Sequence, residues 1–118
     1  MNDLIDVVEL NSQVEVPSNA RVRVRQLVDR HMKLRHMEVL EACARKFDIV
    51  ELVIGPYTQF ASVGMSGTAF MNGQHLDLLD TLPGDVIEVV VRNISDTSTG
   101  FLGRLTSCSP KCRGWTRG

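Results

Sequence analysis

Aromatic residues are scarce in this 118-residue chain: Phe, Trp and Tyr together make up 5%, with one Trp and one Tyr. A core here must be built from Val, Leu, Ile and Met, and a platform that stacks successive nucleobases is disfavoured. Cysteine is sparse as well. Three cysteines, an odd number, argue against a disulfide framework and for a reducing compartment. No apolar run approaches the roughly 20 residues that a membrane helix needs. The opening MNDLIDVVEL has early acids and no basic stretch, unlike a secretory leader. A cytoplasmic protein with no membrane partner is expected. Internal repeats are absent.

Catalytic constellations are missing too. No serine or cysteine has a local setting that would hold a base within reach, as nucleophilic catalysis requires. GMSG (64–67) and STGFLG (98–103) contain glycine but lack the Lys and following helix of a phosphate loop. His31 and His36 are five apart and share no helical face, so they chelate poorly. Asp77, Asp80 and Asp85 lie in turn-rich sequence, where Asp serves backbone geometry more often than a metal. Cys108 and Cys112 form C-x₃-C, a spacing some zinc sites use, but two ligands are missing and free thiols are the plainer reading. Cys43 reads as a small buried hydrophobe. A non-enzymatic protein without a cofactor is expected.

What is present is uneven charge. The formal net charge is −1, which alone predicts no nucleic-acid binding. Yet residues 1–20 hold Asp3, Asp6, Glu9 and Glu15 and no Lys or Arg. Residues 21–35 hold Arg21, Arg23, Arg25, Arg30, Lys33 and Arg35 against Asp29 alone. Residues 97–118 hold Arg104, Lys111, Arg113 and Arg117 and, after Asp96, no acid. These basic residues, with Trp115 in the tail, are the candidate contacts for a protein partner or for RNA. The structural alternative is a solvated face balanced by nearby acids.

The chain reads as short strands at 4–10 and 14–16, then a turn or helix cap at Pro17–Asn19. Residues 20–28 read either way. Alternation of Arg21, Arg23 and Arg25 with Val22 and Val24 is the period of a half-buried strand, but Val24, Leu27, Val28, His31 and Leu34 also share a helical face. Met37, Leu40, Cys43, Ala44 and Phe47 recur at three and four, which predicts a helix over about 30–47. Strands are expected at 48–56 and at 61–71, the latter bent at Gly64 and Gly67. Asn72-Gly73 signals a hairpin turn. The stretch LDLLDTL reads as a short connection with a 3₁₀ turn. Pro83-Gly84-Asp85 turns into VIEVVVRNI (86–94), whose unbroken Val content fits a central strand covered on both faces. FLGRL offers one more strand before an irregular tail.

Three stretches resemble ubiquitin-like proteins. VEVPSN (14–19) is similar to ubiquitin's second strand and helix entry, FMNGQHLDLLDTL (70–82) to its short strand, Gly turn and Leu-rich loop, and PGDVIEVVVR (83–92) to its last strand. The last also resembles that strand in the sulfur carriers of thiamine and molybdopterin synthesis. The resemblance spans roughly residues 4–94 and implies an α+β, β-grasp fold, a mixed sheet packed on one main helix. It divides the chain into a ubiquitin-like domain at 1–96 and a basic Cys- and Gly-containing tail at 97–118. One departure matters: carriers end in a free Gly-Gly, whereas this chain runs 26 residues past Arg92 and closes on Gly118 after Arg117. The functional expectation is therefore an interaction module that serves as a structural or assembly subunit, of a viral particle or ribonucleoprotein, with itself as a further possible partner. RNA binding through the basic zones 21–35 and 104–117 is the first alternative, and a carrier or modifier released by C-terminal trimming is the second.

Overall fold

The computed structural model describes residues 6–76 and 78–107, with backbone only at 60–64. Eight strands run in chain order: β1 (Val7–Asn11), β2 (Arg21–Leu27), β3 (His36–Val39), β4 (Phe47–Ile54), β5 (Tyr57–Ser66), β6 (Gln74–His75), β7 (Val86–Asn93) and β8 (Leu102–Thr106). They form two four-stranded sheets, ordered β1-β8-β3-β6 and β2-β7-β4-β5. Every pairing is antiparallel. Only the β4–β5 hairpin stays within a sheet; every other connection crosses to the opposite one. That interleaved order of eight strands is the jelly-roll arrangement.

The expected β-grasp fold, a mixed sheet on one main helix, is thus corrected: both sheets are antiparallel and, among the described residues, no long helix crosses either. The helix expected over about 30–47 is replaced by a crossing segment, then β3, a single helical turn α1 (Glu41–Ala44) and the start of β4. Most of the apolar residues that suggested it are indeed buried: Met37, Ala44 and Phe47 are fully enclosed, while Leu40 is partly so. But Met37, Glu38 and Val39 are buried consecutively, as in a strand covered on both faces rather than a one-sided helix. Pairing of β3 with β8 and β6 overrides the helical propensity of the following EACARK.

Residues 20–28 resolve as a strand. β7 is central, between β2 and β4, with Ile87, Val89 and Val91 turned into the core and Val90 buried on the opposite face. FLGRL is likewise a strand, β8, and lies between β1 and β3. Gly84, at φ +92°, makes the turn before β7, and the Asp85 carboxylate accepts from the Leu82 amide at 2.9 Å. The Asn72-Gly73 turn does not make a hairpin, because β5 and β6 belong to different sheets. The 3₁₀ turn falls at Gly67–Phe70 rather than in 76–82. Thr81 of that later stretch is bridged to Met32.

The sheets close on one apolar core. Phe47 of the second sheet meets Phe101, just before β8 of the first, edge to face at 5.3 Å. Leu10, Leu34, Ile49, Leu52 and Leu105 fill the space around them. Among the described residues, no helix is long and apolar enough to cross a membrane.

Candidate functional site

Among the described residues β2 is an edge strand, bonded to β7 on one side. At its two ends the Asn93 amide donates to the Ala20 carbonyl and the Val28 amide to the Asp85 carbonyl. In an antiparallel ladder bonded residues alternate, so Val22, Val24 and Gln26 also bond inward to β7. The amides and carbonyls of Arg21, Arg23, Arg25 and Leu27 therefore point out to the free edge. The same four residues place their side chains on the outer face of the sheet, away from the core. One periodicity of two thus presents backbone groups and arginines together.

The row is held from β7. Glu88, only 15% exposed at its side chain, accepts from Arg23 Nη1 at 2.7 Å and from Arg25 Nε at 2.8 Å. The bond from Arg25, aided by that from Arg23, keeps the Glu88 carboxyl below its ordinary range although burial opposes it. Two guanidinium groups on one carboxylate leave positive charge over. Arg21 lies opposite Arg92 across the ladder, and no carboxylate of the described residues contacts either. A bulge at Val50–Glu51 sets two residues of β4 against Val90. It leaves a shallow hollow of about 180 Å³ beside Arg21 and Arg23.

Past Arg25 the surface turns apolar. Leu27 and Val86 are cross-strand partners, 65% and 38% exposed. Near them Tyr57, Leu79 and Leu82 are exposed around a groove of about 660 Å³ floored by Ile54 and Leu78. On the core side of the edge, an open cleft of about 520 Å³ separates β2 from β1, the edge strand of the other sheet among the described residues. Val7, Val8, Val28 and Met32 line it.

The other candidate cations are placed differently. Arg30 pairs with Asp6 at 2.8 Å. Arg35 Nη2 and His31 Nε2 hold the two oxygens of Asp80 at 3.0 and 3.1 Å, which ties the β2–β3 crossing to the segment before β7. These bonds, that from Arg35 foremost, lower the Asp80 pKa. Lys33 is exposed. Arg104 is no surface residue: it lies 15% exposed on β8, both Nε and Nη2 at 2.9 Å from one oxygen of Glu38. Lys111, Arg113, Trp115 and Arg117, with the zinc candidates Cys108 and Cys112, lie outside the described residues, as does Asp77.

His36 and His75 are cross-strand partners whose rings meet edge to face at 5.2 Å. Burial, with the neighbouring His75, lowers the His36 pKa. Cys43 donates to the Leu40 and Leu102 carbonyls at 3.4 Å, and burial raises its pKa. Among the described residues, no three of His, Cys, Asp and Glu gather as a metal site. Residue reasoning singled out the arginine row but missed Glu88, Arg92 and the apolar residues that continue it. The one available signal was Glu88 itself, a lone charge inside a run of valines. Comparison with protein-family models, with curated proteins and with solved structures finds no match to this chain.

Proposed function

We propose that this protein is a non-enzymatic docking module, a structural or assembly subunit of a larger complex, which meets a protein partner through β2. The fold does not choose the role, since jelly rolls serve many. What supports the reading is one observation: an edge strand whose outward backbone groups, arginine row and apolar end all belong to the same four residues. Directed donors beside exposed apolar area are what protein interfaces use. The partner is a different protein or a second copy of this chain.

The test is size fractionation of the full chain in extracts of its source, wild type beside Arg21→Gln/Arg23→Gln/Arg25→Gln and beside Leu27→Asp. Wild type should run well above its 13.1 kDa monomer mass, with both variants shifted down while still unfolding cooperatively. Monomer-sized wild type, or variants that stay in the complex, would overturn the reading.

RNA is the second reading, favoured by Arg21 and Arg92 side by side without a carboxylate contact. A labelled RNA whose affinity falls steeply with added salt supports it, and no binding at low salt removes it.

A further inference from the structure

Resting on that docking reading, we infer that the partner adds a fifth strand to the β2-β7-β4-β5 sheet: an extended segment, antiparallel to β2, that alternates acidic and apolar residues. The geometry carries each part. Arg21, Arg23, Arg25 and Leu27 offer four outward amides and carbonyls in regular register, because β2 pairs with β7 over Arg21–Leu27 without a bulge. Its counterpart edge, β5, belongs to a pairing broken by register shifts, which suits strand addition less well. The whole sheet is antiparallel, and an antiparallel newcomer continues it.

Register then dictates chemistry. In an added strand every second side chain stands on the outer face, directly opposite Arg21, Arg23, Arg25 and Leu27. Glu88 already occupies the inner flank of Arg23 and Arg25, and their positive surplus faces the open side. Carboxylates therefore fit opposite the three arginines and an apolar residue opposite Leu27. The intervening side chains would turn inward, covering Val22 and the apolar wall of the β1–β2 cleft. Charges on an edge strand also serve to discourage pairing with uncharged strands. Here they select a partner of opposite sign.

The probe is a labelled heptapeptide, acetyl-LVEVEVE-amide, titrated into the full chain by fluorescence anisotropy and by NMR hydrogen exchange. Saturable binding should slow exchange of the Arg21, Arg23, Arg25 and Leu27 amides at least tenfold. The inward amides of Val22, Val24 and Gln26 should change little. The charge-swapped LVKVKVK should bind at least tenfold more weakly, and Arg21→Glu/Arg23→Glu/Arg25→Glu should reverse that order. Methylating the backbone nitrogens at the Glu positions should abolish binding, whereas methylation at the Val positions should be tolerated.

No binding at millimolar peptide, or binding that tolerates both methylation patterns, overturns the inference; the latter would mean charge attraction without strand pairing. If the peptide fails while the glutamine variants still leave the complex, strand addition falls and the docking reading stands. Loss of both removes both.

Discussion

Asn93 is fully buried at the end of β7 with four hydrogen bonds made: Nδ2 donates to the Val16 and Thr97 carbonyls, and Oδ1 accepts from the amide and hydroxyl of Ser95. Removing it breaks all four at once, although the Val16 carbonyl keeps the Thr99 amide and the Thr97 carbonyl keeps the Ser95 hydroxyl. Asn93→Ala is therefore expected to cost about 2–3 kcal/mol, read as a lower urea midpoint at unchanged slope. The ion pairs divide by exposure. Glu38, 6% exposed against Arg104, should cost about 2 kcal/mol when replaced by Ala, because Arg104, 15% exposed, gives up two hydrogen bonds to that carboxylate. Arg25, 64% exposed, should cost less than about 1 kcal/mol. The same residues set the acid response. Asp80 and Glu88 have folded-state pKa values below the ordinary carboxylate values, so the folded form binds fewer protons than the unfolded chain at low pH. Their stabilisation is complete above those ordinary values and is lost as pH falls through the lower folded ones. His36, also lowered, adds a loss that begins as pH drops below about 6.5. Melting temperature should fall from neutral to acid pH, less steeply in Asp80→Asn, and NMR titration should place all three groups on the low side.

At the scale of elements, the 3₁₀ turn at Gly67–Phe70 packs hard against α1. A β-carbon on Gly67 would lie 2.3 Å from the Ala44 carbonyl oxygen and 2.9 Å from that of Phe47, and backbone must move to admit it. Gly67→Ala is expected to lose about 1–3 kcal/mol. Gly100→Ala, where the nearest atom stands 3.7 Å away, should stay within about 0.5 kcal/mol; denaturant melts of the pair check this. Such close approach is invisible in GMSG read alone. Strands were legible where the local pattern was dense: β4 and β7 follow from Val and Ile runs bounded by Gly turns, and β8 from FLGRL. β3 was not legible, because its partners stand at Leu102–Thr106 and Gln74–His75, far along the chain. Burial of Met37, Leu40, Cys43 and Phe47 arises from a strand followed by one helical turn, and that succession imitates a helical period.

For the whole molecule, the last strand of the described residues is an interior one: β8 lies between β1 and β3. A chain ending at Gly100 would leave a gap one strand wide in the first sheet and lose Phe101 from the core. It is expected to show no cooperative thermal transition by calorimetry, where the full chain shows one. The surface proposed for docking was half legible for a related reason. Alternation of arginine and valine gave the row on β2. That β2 stands at an edge, that Glu88 grips the row, and that Leu27, Val86, Tyr57, Leu79 and Leu82 collect beside it are products of pairings between distant segments. The same is true of Arg104, whose charge suggested a surface contact and whose register opposite Glu38 encloses it.

Those distant pairings also join beginning to end. β1 and β8 lie side by side, and the Ser107 amide donates to the Asp6 carbonyl at 3.0 Å, so the roll closes into something like a ring. Such a ring has no privileged starting point. Linking the two neighbours through a short glycine-rich segment and cutting instead at Gly55-Pro56 would give a circular permutant that keeps every ladder and gives up one tight turn.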